Sequence, residues 1–191
     1  YYKRNKTEKT GLMHEKIGGY GIEDIEFVSA FDVGENKVGK PLSESIYADP
    51  NCVKWVDSVS YCDSTIVREG PILDGIGVYV ASMIKPIEQT KKIKDLEKEA
   101  IEEIKNKNAG ILINYLPVGS QKATEFWANV ALKTNCAFIN CIPVFIASDK
   151  VWGKRFREKN LPTIGDDIKA VLGATITHRT LAKLCVDRGA V

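Results

Sequence analysis

From residue 109 to residue 188 the sequence changes period five times, and that alternation constrains the fold more than anything else in the chain. Ala109–Leu116 is a short apolar run stopped by Pro117, and Ser120 to about Thr134 carries helical spacing. Cys136–Ile142 is a second apolar run, stopped by Pro143, and a second helical stretch runs from Ser148 to about Lys159. Leu161–Ile164 is a third short run, and Gly173 to Arg188 a third helix. A strand returned by a helix pairs parallel with the strand before it, so the pattern specifies βαβ units. The expected fold class is α/β, a Rossmann-like parallel sheet with helices on both faces, incomplete at its first strand. Ser120 is the expected cap of the first of these helices, and Ser148 or Asp149 of the second. Gly189 marks the end of the last one.

The N-terminal half is less regular. Asp24–Asp32 alternates and then turns apolar, which reads as a strand with Asp32 at its carboxyl end. Residues 34–50 read as a loop with a short helix. Val53, Trp55, Val56 and Val59 suit a strand or a short helix, and Gly70–Gly77 is a turn-rich loop. Residues 88–107 form the clearest helix, with Ile93, Leu96, Ala100 and Ile104 on one face. Glu88–Lys92 and Glu103–Lys107 are expected to pair along it.

Composition narrows the function classes. The chain has 191 residues, a net charge of +2, 44% hydrophobic and 27% charged residues, as a water-exposed globular protein has. That charge gives no electrostatic case for nucleic acid, and no apolar run approaches the roughly 18 residues of a membrane span. The first ten residues have no apolar core and do not read as a signal peptide. Five cysteines (52, 62, 136, 141 and 185) lack C-x-x-C or His–Cys spacing, so they read as reduced thiols of a cytoplasmic protein without a metal site.

The candidate chemistry gathers at strand ends, where open α/β sheets bind ligands. Asp32 stands where a Rossmann domain holds ribose hydroxyls, but no G-x-G-x-x-G precedes it, so by itself it reads as an ordinary Asp at a strand–turn junction. Asn114 and Asn140 end neighbouring strands, each followed closely by a proline, and are expected to point into one crevice. Asp166 and Asp167 leave open a metal site, a pair for sugar hydroxyls, or a helix cap. On an extended chain adjacent carboxylates face opposite ways, so one is expected inward and the other structural. Lys169 suits a phosphate or a developing oxyanion, and Thr175, Thr177, His178 and Arg179 lie in the first turns after Gly173. Together they point to a phosphorylated small molecule.

Several segments, in order, resemble the archaeal and actinobacterial branch of the myo-inositol-1-phosphate synthases (inositol-3-phosphate synthases). They are G-L-M-H at 11–14, D-I-E-F-V-S-A-F-D-V at 24–33, K-V-G-K at 37–40 and G-P-I-L-D-G-I-G at 70–77. N-Y-L-P-V-G-S at 114–120, N-C-I-P-V-F-I-A-S-D at 140–149, G-D-D-I-K at 165–169 and G-A-T-I-T-H-R-T-L-A-K-L at 173–184 continue the match. The resemblance implies NAD-dependent conversion of D-glucose 6-phosphate to 1D-myo-inositol 3-phosphate by oxidation, enolisation, intramolecular aldol closure and reduction. It implies a cytoplasmic homotetramer serving inositol-phospholipid synthesis. By the same resemblance Asp32, Asn114, Pro117, Gly119, Ser120, Asn140, Pro143, Asp166 and Ala170 are expected to contact the cofactor, and Asp167, Lys169, His178 and Arg179 to be the catalytic residues at the sugar phosphate. Ala170 stands where the family usually has a small polar residue, and Pro41 where an acidic one is common. Family members carry a strand and a G-x-G-N loop before the segment matched by Tyr1 and continue well past the one matched by Val191. The chain is therefore expected to be an internal piece, with residues 1–191 a partial NAD-binding domain and the catalytic region opening near 165–191, inactive alone. The rival readings are a Rossmann oxidoreductase for another phosphosugar and a non-catalytic nucleotide-binding pseudoenzyme.

Overall fold

The computed structural model describes Tyr2 and residues 11–50, 64–168 and 173–190, with Tyr79 and Val80 described by backbone alone. The chain divides into two units, residues 1–110 and 111–191. The apolar positions 53–59 lie outside the described residues.

In the first unit Lys16–Ile17 (β1) and Tyr20–Gly21 (β2) form a small antiparallel hairpin. Ala30–Asp32 (β3) pairs parallel with Val67–Glu69 (β4), Asp32 opposite Glu69. Leu42–Ser45 (α1) lies between them in sequence, and Val78–Ala81 (α2) follows. The strand expected over 24–32 is shorter than its alternation suggested. Residues 22–24 turn instead into a 3-10 helix, where the Asp24 carboxylate accepts the Gly21 N–H at 2.7 Å. A ladder also needs a partner, and β4 supplies only three residues to pair with. Ile93–Asn106 (α3) buries Leu96, Ala100 and Ile104. The helix starts at Ile93, so Glu88 and Lys92 precede its first turn. Glu103 is held by Arg68 of β4 at 2.7 Å, which fixes α3 to the sheet.

In the second unit Ile111–Asn114 (β5), Ala137–Asn140 (β6) and Thr163–Ile164 (β7) form a parallel sheet in that order. Gln121–Thr134 (α4) connects β5 to β6, and Lys150–Glu158 (α5) connects β6 to β7. Right-handed crossovers that add strands in one direction put both helices on one face. The side chains agree: Asn114 of β5 bonds Thr124 of α4, and Phe138 of β6 stacks on Phe156 of α5 with centroids 6.1 Å apart. Between sheet and helices lie Ala128, Val130, Ala131, Phe138, Ile146 and Phe156, each at most 1% exposed. Asn135 ends α4 in the left-handed conformation (φ 58°), and the N–H groups of Asn135 and Cys136 both reach the Ala131 carbonyl. Ala174–Asp187 (α6) follows, with Gly189 past its end at φ 67°. The protein is thus α/β, with parallel sheets flanked by helices. Among the described residues no helix is long and apolar enough to cross a membrane.

Candidate functional site

The carboxyl ends of β5, β6 and β7 are joined by one chain of buried hydrogen bonds. Asn114 and Asn140 are directly opposite each other in the parallel register. The Asn114 amide donates to Asn140 Oδ1 at 2.8 Å and to the Thr124 hydroxyl at 3.1 Å, and its own oxygen accepts the Leu116 N–H at 3.2 Å. Asn140 Nδ2 donates to the carbonyls of Ile142 (3.2 Å) and Val144 (2.6 Å) and to the Asp166 carboxylate (2.9 Å). Asn114 and Asn140 are 3% and 1% exposed. Both side chains are therefore engaged beneath the loops, not held out to a ligand as their strand-end positions suggested. What they fix is the backbone of the two loops, residues 115–119 and 141–147.

Asp166 closes the network. Its Oδ1 accepts the Ala147 N–H at 3.0 Å, and its Oδ2 accepts the N–H groups of Ile146 (3.0 Å) and Ser148 (3.1 Å) and the Ser148 hydroxyl (2.6 Å). With Asn140, five donors converge on one carboxylate. Burial alone would push this carboxyl up, but the hydrogen bonds from Ser148, Asn140, Ala147 and Ile146 outweigh it and hold it below the usual carboxylate range. The neighbouring Asp167 points away. It is exposed, has φ 76°, donates its N–H to the Ile142 carbonyl at 3.0 Å and accepts the Ile168 N–H at 2.9 Å. The inward and the structural carboxylate are the same residue, and the other faces solvent. The chain is not extended here, so the strand alternation used to assign the pair does not hold.

The remaining candidates fall into three groups. Pro117, Gly119 and Ser120 form the turn into α4: the Pro117 carbonyl accepts the N–H (3.2 Å) and the hydroxyl (2.7 Å) of Ser120, and Gly119 has φ 96°. The Ser120 hydroxyl faces back into the turn and does not cap α4. Asp149 does cap α5, accepting the N–H groups of Val151 and Trp152 at 2.9 Å. Pro143 is exposed. His178 and Arg179 are exposed on α6, as are Thr175 and Thr177, and among the described residues no hydrogen bond ties them to the strand-end network. Lys169 and Ala170 lie outside the described residues. In the first unit Asp32 ends β3, with Oδ1 accepting the N–H groups of Val33 (2.7 Å) and Gly34 (2.8 Å) and Oδ2 at 3.4 Å from Lys37 Nζ. Its side chain is 33% exposed, which leaves acceptor capacity facing solvent.

Sequence reasoning missed Thr124 and the donors on residues 146–148. Thr124 was legible, four residues past Ser120 on the face of α4 that meets the sheet. The 146–148 cradle was not, because three of its donors are backbone N–H groups. Tyr115 was also missed: partial burial and a hydrogen bond with the Cys141 thiol push its phenol above the ordinary value. Most of its side chain is nonetheless open to solvent, at 68% exposure, as are Val118 and Phe145 at 75% and 73%.

These features define an α/β protein whose candidate site is the loop cluster at the carboxyl ends of a parallel sheet. No model of a protein family matches the chain. The chain is 46% identical over 196 residues to the inositol-3-phosphate synthase of Mycolicibacterium smegmatis, a match that takes in 98% of this chain and 51% of that protein. Inositol-3-phosphate synthases of Mycobacterium tuberculosis and Corynebacterium glutamicum are 45% and 44% identical, over 99% of this chain and 50% and 51% of theirs. A solved structure, the crystal structure of Ari2, superposes with a TM-score of 0.77 at 29% identity, covering 94% of this chain and 48% of that one. The chain is thus a homologue of the inositol-3-phosphate synthases and spans about half the length of the curated relatives it matches.

Proposed function

We propose that the polypeptide carrying this span catalyses the NAD-dependent isomerisation of D-glucose 6-phosphate to 1D-myo-inositol 3-phosphate, in the cytoplasm and as a homotetramer. The observation that supports this reading is 44–46% identity to synthases across 98–99% of this chain. The residues present suit the cofactor. A partly exposed Asp32 carboxylate at the end of β3 can accept ribose hydroxyls. NAD would supply the hydride acceptor and donor of a redox-neutral isomerisation.

In this reading Asn114, Asn140 and Asp166 act through the backbone. They hold Pro117–Ser120 and the Pro143 turn in one conformation, so that the cofactor's binding surface exists before it arrives. The exposed Asp167, His178 and Arg179 remain available to the sugar phosphate, with Lys169 the proposed partner of the developing enolate oxygen and Ala170 beside the cofactor.

The test is a chimera in which this chain replaces the matching half of the Mycolicibacterium smegmatis synthase. Conversion of glucose 6-phosphate to inositol phosphate with no net NADH supports the reading. A folded chimera that binds NAD and makes no inositol phosphate overturns it. Net accumulation of NADH with a phosphosugar would instead identify an oxidoreductase, and folding without nucleotide affinity a pseudoenzyme.

A further inference from the structure

We propose that residues 146–148 form a carboxylate-binding cradle whose built-in occupant is Asp166, and that the chain thereby withholds this anion site from the phosphates of its ligands. Three consecutive backbone N–H groups, the Ser148 hydroxyl and the Asn140 amide surround the two carboxylate oxygens, two donors on Oδ1 and three on Oδ2. Successive N–H groups aimed at one point make an anion site without any cationic side chain. The cradle is built from below as well: Asn140 is 1% exposed and holds its Nδ2 2.9 Å from Oδ1. Asp149 caps the start of α5 beside it, so both anion-seeking features at this end of the helix are met by the protein's own carboxylates. Asp166 is only half-buried and Ser148 is exposed, so a small anion can reach the cradle from solvent once the side chain is removed. The occupant therefore determines specificity: with Asp166 present, a ligand phosphate must bind elsewhere.

The experiment uses the 191-residue chain and formate, which has the shape of the missing group. Thermal midpoints of the parent, Asp166→Ala and Asp149→Ala chains are read against formate and chloride at matched ionic strength. Asp166→Ala is expected to gain about 4 °C as formate saturates, while the parent and Asp149→Ala move by less than about 1 °C. The amide resonances of residues 146–148 should shift with formate in Asp166→Ala alone. If that variant does not fold in chloride, a several-fold higher folded yield in formate supports the proposal. Failure in both salts, or equal responses of all three chains, overturns it. None of these readouts involves NAD or turnover, so the cradle and the reaction stand or fall separately.

Discussion

A Cβ on Gly165 would lie 2.6 Å from the Asn140 carbonyl oxygen, and Gly165 has φ 152°. The end of β7 runs this close to β6 so that the next residue, Asp166, can reach across to the 146–148 loop. Gly165→Ala is therefore expected to destabilise the chain by about 1–3 kcal/mol, read as a lower urea midpoint. Asn140→Ala removes one acceptor and the side-chain amide that ties two loop carbonyls to Asp166. Losing the bonds of this buried amide is expected to cost about 2 kcal/mol in the same measurement. The pH dependence follows from Asp166. Its folded value is held below the unfolded one, so its contribution is fully present above the unfolded carboxylate range and is lost as pH falls through the folded value. Between pH 7 and about pH 3 the parent should lose more stability than Asp166→Asn, each referred to its own value at pH 7. Equal slopes would show that the five donors do not favour the charged form. The sequence made the importance of this doublet legible but not its division of labour. That division rests on main-chain donors twenty residues away, which no side-chain pattern encodes.

At the scale of the element, the parts of the fold read most surely were those with both a period and a punctuation mark. The strands ended by Pro117 and Pro143 and the helix opened by Asp149 all appear within a residue or two of their expected bounds. Helix α3 kept its buried stripe, but its ion pairs were redistributed, because Arg68 on β4 draws Glu103 out of the helix's own i,i+4 ladder. The strand of the first unit was over-read because alternation reports a sided surface, not a ladder partner. Capping can be tested directly on α5. Asp149→Ala should cost about 1 kcal/mol, since it frees the N–H groups of Val151 and Trp152. Phe156→Ala, which empties the stack on Phe138, should cost about 3–5 kcal/mol. If the two ranked the other way in chemical denaturation, α5 would be held by its end and not by its face.

At the scale of the whole molecule, the direction of the crossovers has a consequence that can be measured. Because α4 and α5 share one face of the second sheet, the opposite face presents Ile113, Ile139 and Ile164 in one row across the three strands. Ile111, Ile113 and Ile164 are 58%, 46% and 66% exposed. Parallel sheets are ordinarily covered on both faces, and a contiguous apolar row open to water favours association. The 191-residue chain is expected to bind a hydrophobic dye and to self-associate as concentration rises. Ile113→Thr with Ile164→Thr keeps β-branched side chains that suit a strand and lowers the apolar area, so secondary structure should persist. Sedimentation velocity across a concentration series separates the outcomes. A double variant that stays monomeric where the parent associates places the contact on this face. A double variant that associates as strongly as the parent rules that face out as the cause.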